Sequence, residues 1–311
     1  MNFESLKRKF RFADYYILII YSLIIILDII FINNLANPLL NFLAIFFELF
    51  FFLLLVYYDN NDRSIITLLR NLYYMAIILF VYNQAQVLIA TIHPIDYDNT
   101  LILWDRTILG NDIGIILGKI ANPYLTEYLQ IAYASFYLWF IVIGLEFYNR
   151  HYKIFDIYAR NILFGFFFSF FLYFFMPAIG PRFTVFDFHK LNSDLPGLFL
   201  TDLLRSIINF GGGITNNTIN PALLANRDCM PSGHTMLSII NMYFAFKYRL
   251  KSKWIAALFG VSIIFATVYL RYHYFIDIIA GALFALISLL LEPLIHKIVI
   301  KSVKRQPEFE Q

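Results

Sequence analysis

Long runs of apolar residues alternate with short polar connections along most of the chain. A helix needs about 20 mostly apolar residues to cross ~30 Å of hydrocarbon. Eight runs approach or exceed that length, at residues 15–32, 39–58, 68–92, 126–148, 158–178, 232–248, 254–270 and 276–299. The pattern predicts an all-α fold, a polytopic membrane bundle of about eight transmembrane helices.

The composition agrees with a membrane-embedded chain. Hydrophobic residues make up 60% of the sequence, charged residues only 14%, and the mean hydropathy is +0.67. These values lie outside the range of soluble globular domains. A basic stretch at 7–11 precedes the first run, but no small-residue cleavage site follows it. We therefore expect the first run to be a retained anchor and the chain to start at Met1.

The distribution of positive charge predicts the topology. Only seven of the 24 lysines and arginines fall in connections that an eight-helix arrangement places outside. These seven are Arg106, Lys119, Arg182, Lys190, Arg205, Arg227 and Arg271. Cytoplasmic connections carry the excess of positive charge, so both termini are expected in the cytoplasm. The formal net charge of +3 thus reflects topology and indicates no nucleic-acid partner.

A short motif, Cys229-Met-Pro-Ser-Gly-His-Thr235, stands at the start of the sixth run. Proline fits the first turn of a helix, so Pro231 predicts that the helix begins there, with Ser232, Gly233 and His234 in its first turn. The unpaired N–H groups and the positive end of the helix dipole favour binding of a phosphate group at such a position.

A second motif, Arg271-Tyr-His-Tyr-Phe-Ile-Asp277, follows about forty residues later. His273 and Asp277 are four residues apart and would share one face of a helix, so the carboxylate could hold one ring nitrogen of the histidine. The other nitrogen would be free to attack. An anion site, a proton donor in His234 and an oriented imidazole together indicate phosphoryl transfer through a phosphohistidine.

The two motifs resemble the second and third signature motifs of the type 2 phosphatidic acid phosphatase superfamily. The resemblance implies that His273 is the nucleophile, that Asp277 orients it, and that His234 protonates the leaving oxygen. It also implies that Ser232 and Gly233 form part of the phosphate site. A six-helix catalytic core at 67–311, preceded by two N-terminal transmembrane helices at 1–66, is expected on the same basis.

The sequence departs from the superfamily pattern in two places. Thr267 stands where the third motif usually has an arginine, and the nearby arginine is Arg271. The usual first motif is replaced by Pro177-Ala-Ile-Gly-Pro-Arg-Phe183. In this form the three motifs resemble the inositol phosphorylceramide synthase branch. Arg182 and Arg271 are expected to bind phosphate oxygens, with the alternative that they only extend toward lipid head groups.

Several other polar residues allow two interpretations each. Asp28 and Glu48 lie within apolar runs, and we favour packing over a proton path. Asp105 and Arg106 contact a lipid head group or are solvated, and we favour solvation. The lone Cys229 excludes an internal disulfide and a cysteine-based metal cluster, and is interpreted as a small packing residue.

Two further elements are expected near the site. Tyr133 and Tyr137, one helical turn apart, line a cavity above the histidines or only join helices. Residues 198–210 form an amphipathic helix at the membrane interface, which covers an entering lipid or is a passive connection.

The sequence therefore predicts a membrane enzyme that acts on a lipid phosphate ester at the extracytoplasmic face of a bacterial plasma membrane. We expect no cofactor and no metal. Head-group transfer, simple hydrolysis of a lipid phosphate, and transport of an anion or lipid without chemistry are the three alternatives. Transporters often contain two corresponding broken helices, and one phosphate motif cluster argues against that class.

Overall fold

The computed structural model describes residues 9–60, 63–215 and 218–304 of the chain. These residues form fifteen α-helices and two 3-10 segments, Ile32–Asn34 and Phe188–Lys190. In chain order the helices are α1 Phe12–Ile30, α2 Pro38–Tyr58, α3 Ile65–Ile92, α4 Asp98–Leu109, α5 Ile113–Gly118, α6 Pro123–Ala134, α7 Phe136–Arg150, α8 Tyr152–Tyr173, α9 Pro181–Thr184, α10 Leu191–Asp194, α11 Thr201–Gly211, α12 Pro221–Leu224, α13 Gly233–Lys247, α14 Lys253–Tyr269 and α15 Phe275–Lys304. The all-α prediction is confirmed.

Five of the described helices, α1, α2, α3, α8 and α15, are long and apolar enough to cross a membrane. The chain is therefore an integral membrane protein. A sixth span results if α6 and α7 are counted together, although their axes are bent by 54°. Each of the eight predicted runs contains a helix, but α13 and α14 have only 15 and 17 residues. Length and composition thus support five or six spans, fewer than predicted.

The bend between α6 and α7 corrects the prediction of one straight helix over 126–148. Ser135 is the break, and its Oγ donates a hydrogen bond to the carbonyl of Ala132 at 2.7 Å. A side-chain hydroxyl bonded to the backbone often bends a helix. Tyr133 on α6 consequently lies against His234 of the second motif.

The centre of the bundle is α13, which packs against α8, α14 and α15. Close approach at its start requires a residue without a side chain on α15. A Cβ atom on Gly281 would lie 2.6 Å from the carbonyl oxygen of Ser232. Small residues allow membrane helices to approach in this way. The first turns of α13 and α15, which carry the two motifs, are thereby brought together.

The N-terminal helices pack on one side of this bundle, with α1 against α8 and α3, and α2 against α3. Tyr16 on α1 donates a hydrogen bond to Glu292 on α15 at 3.1 Å. Glu48 accepts one from Tyr21 at 2.6 Å. Both oxygens of the buried Asp28 are without a hydrogen-bond partner within the described ranges. Glu48 therefore bonds to Tyr21, and the two acids do not form the packing pair that was one of the two expectations.

Candidate active site

A cavity of about 460 Å³ opens between the ends of the helices that carry the motifs. It is large enough for a small-molecule site. Four of the residues selected from the sequence line it, namely Arg182, Gly233, His234 and His273. Tyr133 and Tyr137 also line it, as one of the two interpretations of these tyrosines predicts.

The start of α13 differs by two residues from the prediction. The helix begins at Gly233, and Ser232 is its N-cap, because Ser232 Oγ accepts a hydrogen bond from the amide of Thr235 at 3.2 Å. The proline therefore precedes the helix. Ser232 is fully buried, and its own amide donates to the carbonyl of Asp277 at 3.0 Å. Its side chain thus stabilises the helix start and joins the two motifs, and it does not line the cavity.

Gly233 lies directly against Tyr173 in the cavity wall. A Cβ atom at this position would lie 2.3 Å from the hydroxyl oxygen of Tyr173, so a side chain does not fit. The first amides of a helix have no partner within the helix. The amides of Gly233 and His234 are therefore suited to bind an anion in the cavity.

The His234 ring is held between two aromatic rings. Its centroid lies 4.4 Å from that of Tyr133, nearly parallel to it, and 4.3 Å from that of Phe136. Tyr133 stacks in turn on Tyr272, the neighbour of His273, at 4.2 Å. The centroids of the two histidine rings are 5.8 Å apart. The bend after α6 brings Tyr133 into this stack, so one aromatic layer positions both histidines.

A tight turn after α14 presents His273 to the cavity. Arg271 has φ of 65°, and the amides of Arg271 and Tyr272 donate to the carbonyls of Val268 and Thr267 at 3.1 and 2.9 Å. This is a Schellman motif, in which glycine is the usual residue with positive φ. A non-glycine residue in this conformation costs about 1–2 kcal/mol. The chain reverses direction here and enters α15 two residues after His273.

His273 and Asp277 do not share a helix face as predicted, because α15 begins at Phe275. Asp277 instead reaches back over the start of α15. Its Oδ2 lies 3.4 Å from His273 Nδ1 and accepts hydrogen bonds from the Tyr274 amide at 2.8 Å and the Cys229 thiol at 2.9 Å. Nδ1 itself lies 2.8 Å from the carbonyl oxygen of Cys229. When Nδ1 donates to that carbonyl, the lone pair of the neutral ring is on Nε2.

Arg182 is the cation that lines the cavity beside the histidines. Its guanidinium stacks over the Tyr272 ring at 4.5 Å and donates to Asn209 Oδ1 on α11 at 2.9 Å. The preceding Gly180 has φ of 95°, and a Cβ atom there would lie 2.6 Å from the Tyr272 carbonyl. The glycine therefore permits the first motif to lie directly against the turn that carries His273.

Arg271 does not join this group. Its guanidinium pairs with Asp194 at 2.7 Å and lies over the ring of Phe186 at 3.8 Å. It does not line the cavity. Its contacts in the structure are with protein groups, and the expectation that it binds phosphate oxygens stays a prediction.

Two carboxylates on α4 hold the motifs in place and were not selected from the sequence as site residues. Asp98 accepts hydrogen bonds from the amides of Ile179 and Gly180 at 3.0 and 2.8 Å, and from the Tyr274 hydroxyl at 2.8 Å. It thus joins the first motif to the third. The available sequence signal for these residues was that Asp98 and Asp105 are two turns apart on an amphipathic helix, although this spacing does not identify the amides that they bond.

Asp105 is one of the buried residues, exposed by only 1%, and accepts from the amides of Phe275 and Ile276 at 2.8 and 2.9 Å. Burial raises its pKa, and the two amide hydrogen bonds oppose that shift. The carboxylate caps α15, where the helix dipole favours negative charge. Both interpretations offered for Asp105 were wrong. Arg106 remains half exposed and pairs with Asp112 at 2.9 Å.

Asp228 is a further residue of the cavity wall that the motif analysis missed. Its Oδ2 accepts a hydrogen bond from the Tyr82 hydroxyl at 2.6 Å, and that hydroxyl also accepts from Asn226 at 2.9 Å. Its position directly before the second motif was the available signal. The cavity therefore has a cation, Arg182, and an anion among its lining side chains.

Helix α11 lies along one side of the cavity, within the segment 198–210 that was expected to form an amphipathic helix. Ile207, Ile208 and Asn209 line it, together with Gly212 just beyond the helix. Leu203, Ile207 and Phe210 are largely exposed along the apolar side of the helix. Glu127 on α6 holds the start of this segment by accepting hydrogen bonds from the amides of Leu198, Leu200 and Thr201.

Comparison with known proteins agrees with this arrangement. A sequence model of the PAP2 superfamily matches residues 99–291, more than half of the chain. The chain belongs to the PAP2 superfamily. The matched region contains the three motifs, Asp105 of α4 and helix α11, and it begins one residue after Asp98. The resemblance to this superfamily is thereby confirmed, and a phosphatase-type enzyme in a membrane is the function that membership supports.

A relative of this PAP2 protein is a PA-phosphatase related-family protein from Dictyostelium discoideum. The two are 26% identical over 197 residues, which is 57% of this chain and 32% of the relative. The chain thus spans about a third of the length of that relative. No solved structure matches the chain.

Proposed function

We propose that this PAP2 protein cleaves a lipid phosphate ester through a phosphohistidine formed on His273. The observation that carries the proposal is the convergence of His273, His234 and Arg182 on one cavity, with the two histidine rings 5.8 Å apart. Each of these groups has a separate part in phosphoryl transfer. The positions of the three side chains support this assignment of separate roles.

His273 is the nucleophile in this proposal. Its Nδ1 is occupied by the Cys229 carbonyl at 2.8 Å and lies near Asp277, so Nε2 is the nitrogen that attacks phosphorus. As the phosphorus bond forms, the ring gains positive charge, which the nearby carboxylate stabilises. An oriented partner behind the reactive nitrogen is the usual way in which proteins activate a histidine.

Arg182 and the first amides of α13 bind the phosphate oxygens. Charge on these oxygens builds up in the transition state, and donors that are already in place stabilise it without reorganising. His234 protonates the leaving oxygen, which contributes roughly 10²- to 10⁴-fold in rate. Water then attacks the phosphohistidine, releases phosphate and restores the imidazole.

Head-group transfer is the second candidate, favoured by one observation. Helix α11 covers the cavity with Ile207 and Ile208, and a covered, partly apolar site reduces access of water to a reactive intermediate. An acceptor hydroxyl would then replace water in the second step. The resemblance of the three motifs to inositol phosphorylceramide synthases supports the same candidate, with an inositol-type acceptor.

We propose the extracytoplasmic side for the chemistry. The connections that an eight-helix arrangement places outside include those with the motifs and carry seven of the 24 lysines and arginines, and the remaining positive charge lies on the side of both termini. By the positive-inside rule the termini are cytoplasmic and the cavity opens outward. The reaction uses no metal in this proposal, because each histidine already has a role.

The proposal is tested by incubating the purified protein with labelled phosphatidic acids and other lipid phosphates, with and without inositol-type acceptors. Free phosphate and new lipid products are measured together. We expect turnover to fall to background in His273→Ala and to remain in His189→Ala, an exposed histidine of the same outer connection. Absence of any phosphoester cleavage by the wild-type protein across the panel would favour binding or transport.

A further inference from the structure

Three side chains that commonly bind transition metals meet behind the His273 ring. Cys229 Sγ lies 2.9 Å from Asp277 Oδ2 and 3.6 Å from His273 Nδ1, and Nδ1 lies 3.4 Å from Oδ2. All three side chains are buried. Thiol, imidazole and carboxylate groups are the ligands that zinc prefers.

The three atoms are spaced as a small divalent cation requires. An ion displaced slightly from the plane of this triangle can lie at the usual Zn–N, Zn–O and Zn–S distances of about 2.0–2.3 Å from the three atoms at once. The carbonyl oxygen of Cys229, 2.8 Å from Nδ1, is available as a fourth donor. A thiolate and a carboxylate together carry two negative charges, which a divalent cation neutralises. A neutral cluster is favoured in a buried site.

The carboxylate also has unused capacity. Asp277 Oδ1 is buried and has no hydrogen-bond partner in the part of the chain that the structure describes. Buried polar atoms are almost always paired, so an unpaired one requires an explanation. Burial raises the pKa of the Cys229 thiol, and the Asp277 carboxylate raises it further. In the metal-free protein the thiol therefore stays protonated and donates a hydrogen bond to the Asp277 carboxylate.

We propose that Cys229, His273 and Asp277 form a binding site for a thiophilic divalent cation such as Zn²⁺ or Cd²⁺, and that the bound ion inhibits the enzyme. The proposal that the ion binds rests on the three donor atoms alone. The inhibition part rests on the proposed role of His273 as nucleophile.

The bound ion inhibits the enzyme because it changes which ring nitrogen of His273 carries the proton. Binding releases the thiol proton to solvent and forms the metal–sulfur bond. The metal also takes the lone pair of Nδ1, so the ring proton leaves Nδ1 and is carried by Nε2, and the hydrogen bond to the Cys229 carbonyl is lost. A neutral imidazole with its proton on Nε2 has no lone pair there. His273 then cannot attack phosphorus.

The chain offers an internal reporter, because Cys229 is its single cysteine. Any sulfur-to-cadmium charge-transfer absorption in the ultraviolet must come from this thiolate. We would titrate the purified full-length protein with Cd²⁺ and follow this band. The wild-type protein should show it with saturation at one equivalent.

The decisive variants keep the thiol and remove the other donors. His273→Ala and Asp277→Asn should each weaken Cd²⁺ binding by at least about tenfold, since even outer-shell changes cost 10- to 100-fold. His234→Ala is the matched control, because His234 neighbours His273 but is not a donor, and its binding should equal that of the wild type. Gel filtration checks that each variant is folded. If His273→Ala is not folded, Asp277→Asn alone provides the test.

Activity distinguishes this site from the proposed function. With phosphatase activity, Zn²⁺ should inhibit the wild type reversibly on addition of chelator, and Cys229→Ser should require at least tenfold more Zn²⁺. A cadmium band without phosphatase activity would leave the site intact and contradict the proposed function. An active enzyme with no band, or with a band unchanged in both donor variants, would overturn the site.

Discussion

At the scale of single residues, two groups of side chains form the candidate site: those that line the cavity and those that hold the motifs from behind. His234, His273 and Arg182 were selected from local motifs, and each lines the cavity. Asp98 and Asp105 act on amides 81 and 170 residues away, which no local pattern shows. The partner of Arg271 is Asp194, 77 residues away, for the same reason. Local motifs identify reactive groups, whereas long-range hydrogen bonds depend on the folded chain.

The two arginines provide a test of this distinction. Arg182→Ala should lower kcat/KM by roughly 10²- to 10³-fold, the usual effect of removing one preorganised donor to a charged transition state. Arg271→Ala should have a much smaller effect on kcat/KM, because its guanidinium is paired with Asp194 outside the cavity. Steady-state kinetics with a short-chain lipid phosphate would measure both. Equal losses in the two variants would contradict the placement of Arg271.

The buried carboxylate of α4 makes a prediction about stability. Asp105→Asn replaces one acceptor oxygen by an NH₂ group that faces the Phe275 or Ile276 amide, leaving a buried donor unpaired at a cost of about 1–3 kcal/mol. A clearly lower thermal unfolding temperature is expected. Arg106→Gln is the matched control at the neighbouring position, and loss of its exposed ion pair with Asp112 should leave the unfolding temperature close to that of the wild type. The idea fails if Asp105→Asn unfolds at the wild-type temperature.

At the scale of elements, apolar periodicity located the helices but misplaced some of their ends. The run 126–148 is two helices, because Ser135 bonds to the backbone and the axis bends by 54°. Helix α13, in the sixth predicted run, begins at Gly233 because Ser232 caps it, although Pro231 predicted an earlier start. Hydrophobicity determines that a segment is helical, whereas caps and side-chain hydrogen bonds determine where it bends and ends.

Helix α11 is the element whose function is most easily tested. Ile207 and Leu203 lie one turn apart and are exposed to the same extent, 58% and 57%, but only Ile207 of the two lines the cavity. Ile207→Asp should admit water and raise the ratio of free phosphate to lipid product, while Leu203→Asp should leave that ratio unchanged. Product analysis with an inositol-type acceptor measures it. If both variants behave alike, the cover does not control access of water.

At the scale of the whole molecule, the sequence predicted a membrane bundle correctly and counted more spans than helix lengths support. Helices α13 and α14 have only 15 and 17 residues; α13 lies at the centre of the bundle, and α14 ends at the tight turn before the site. Their apolar runs resemble spans because they are surrounded by other helices as well as lipid. Composition alone does not distinguish an apolar helix surrounded by other helices from one surrounded by lipid.

The predicted topology gives a direct expectation. Asn99 and Lys251 are both exposed, and lie on connections assigned to opposite sides of the membrane. A membrane-impermeant thiol reagent applied to intact cells should label Asn99→Cys and not Lys251→Cys. The native Cys229 is buried and provides a low background. Labelling of Lys251→Cys from outside would reverse or invalidate the assigned topology.

The central claim is that the reaction passes through a phosphohistidine on His273. The most direct measurement is to quench the purified protein during turnover of a lipid phosphate labelled on phosphorus and map the labelled peptide by mass spectrometry. We predict an acid-labile phosphate on His273 that is absent in His273→Ala. The label should accumulate in His234→Ala with a substrate whose leaving group needs no proton. Normal turnover in His273→Ala, or a label on another residue, would contradict the account.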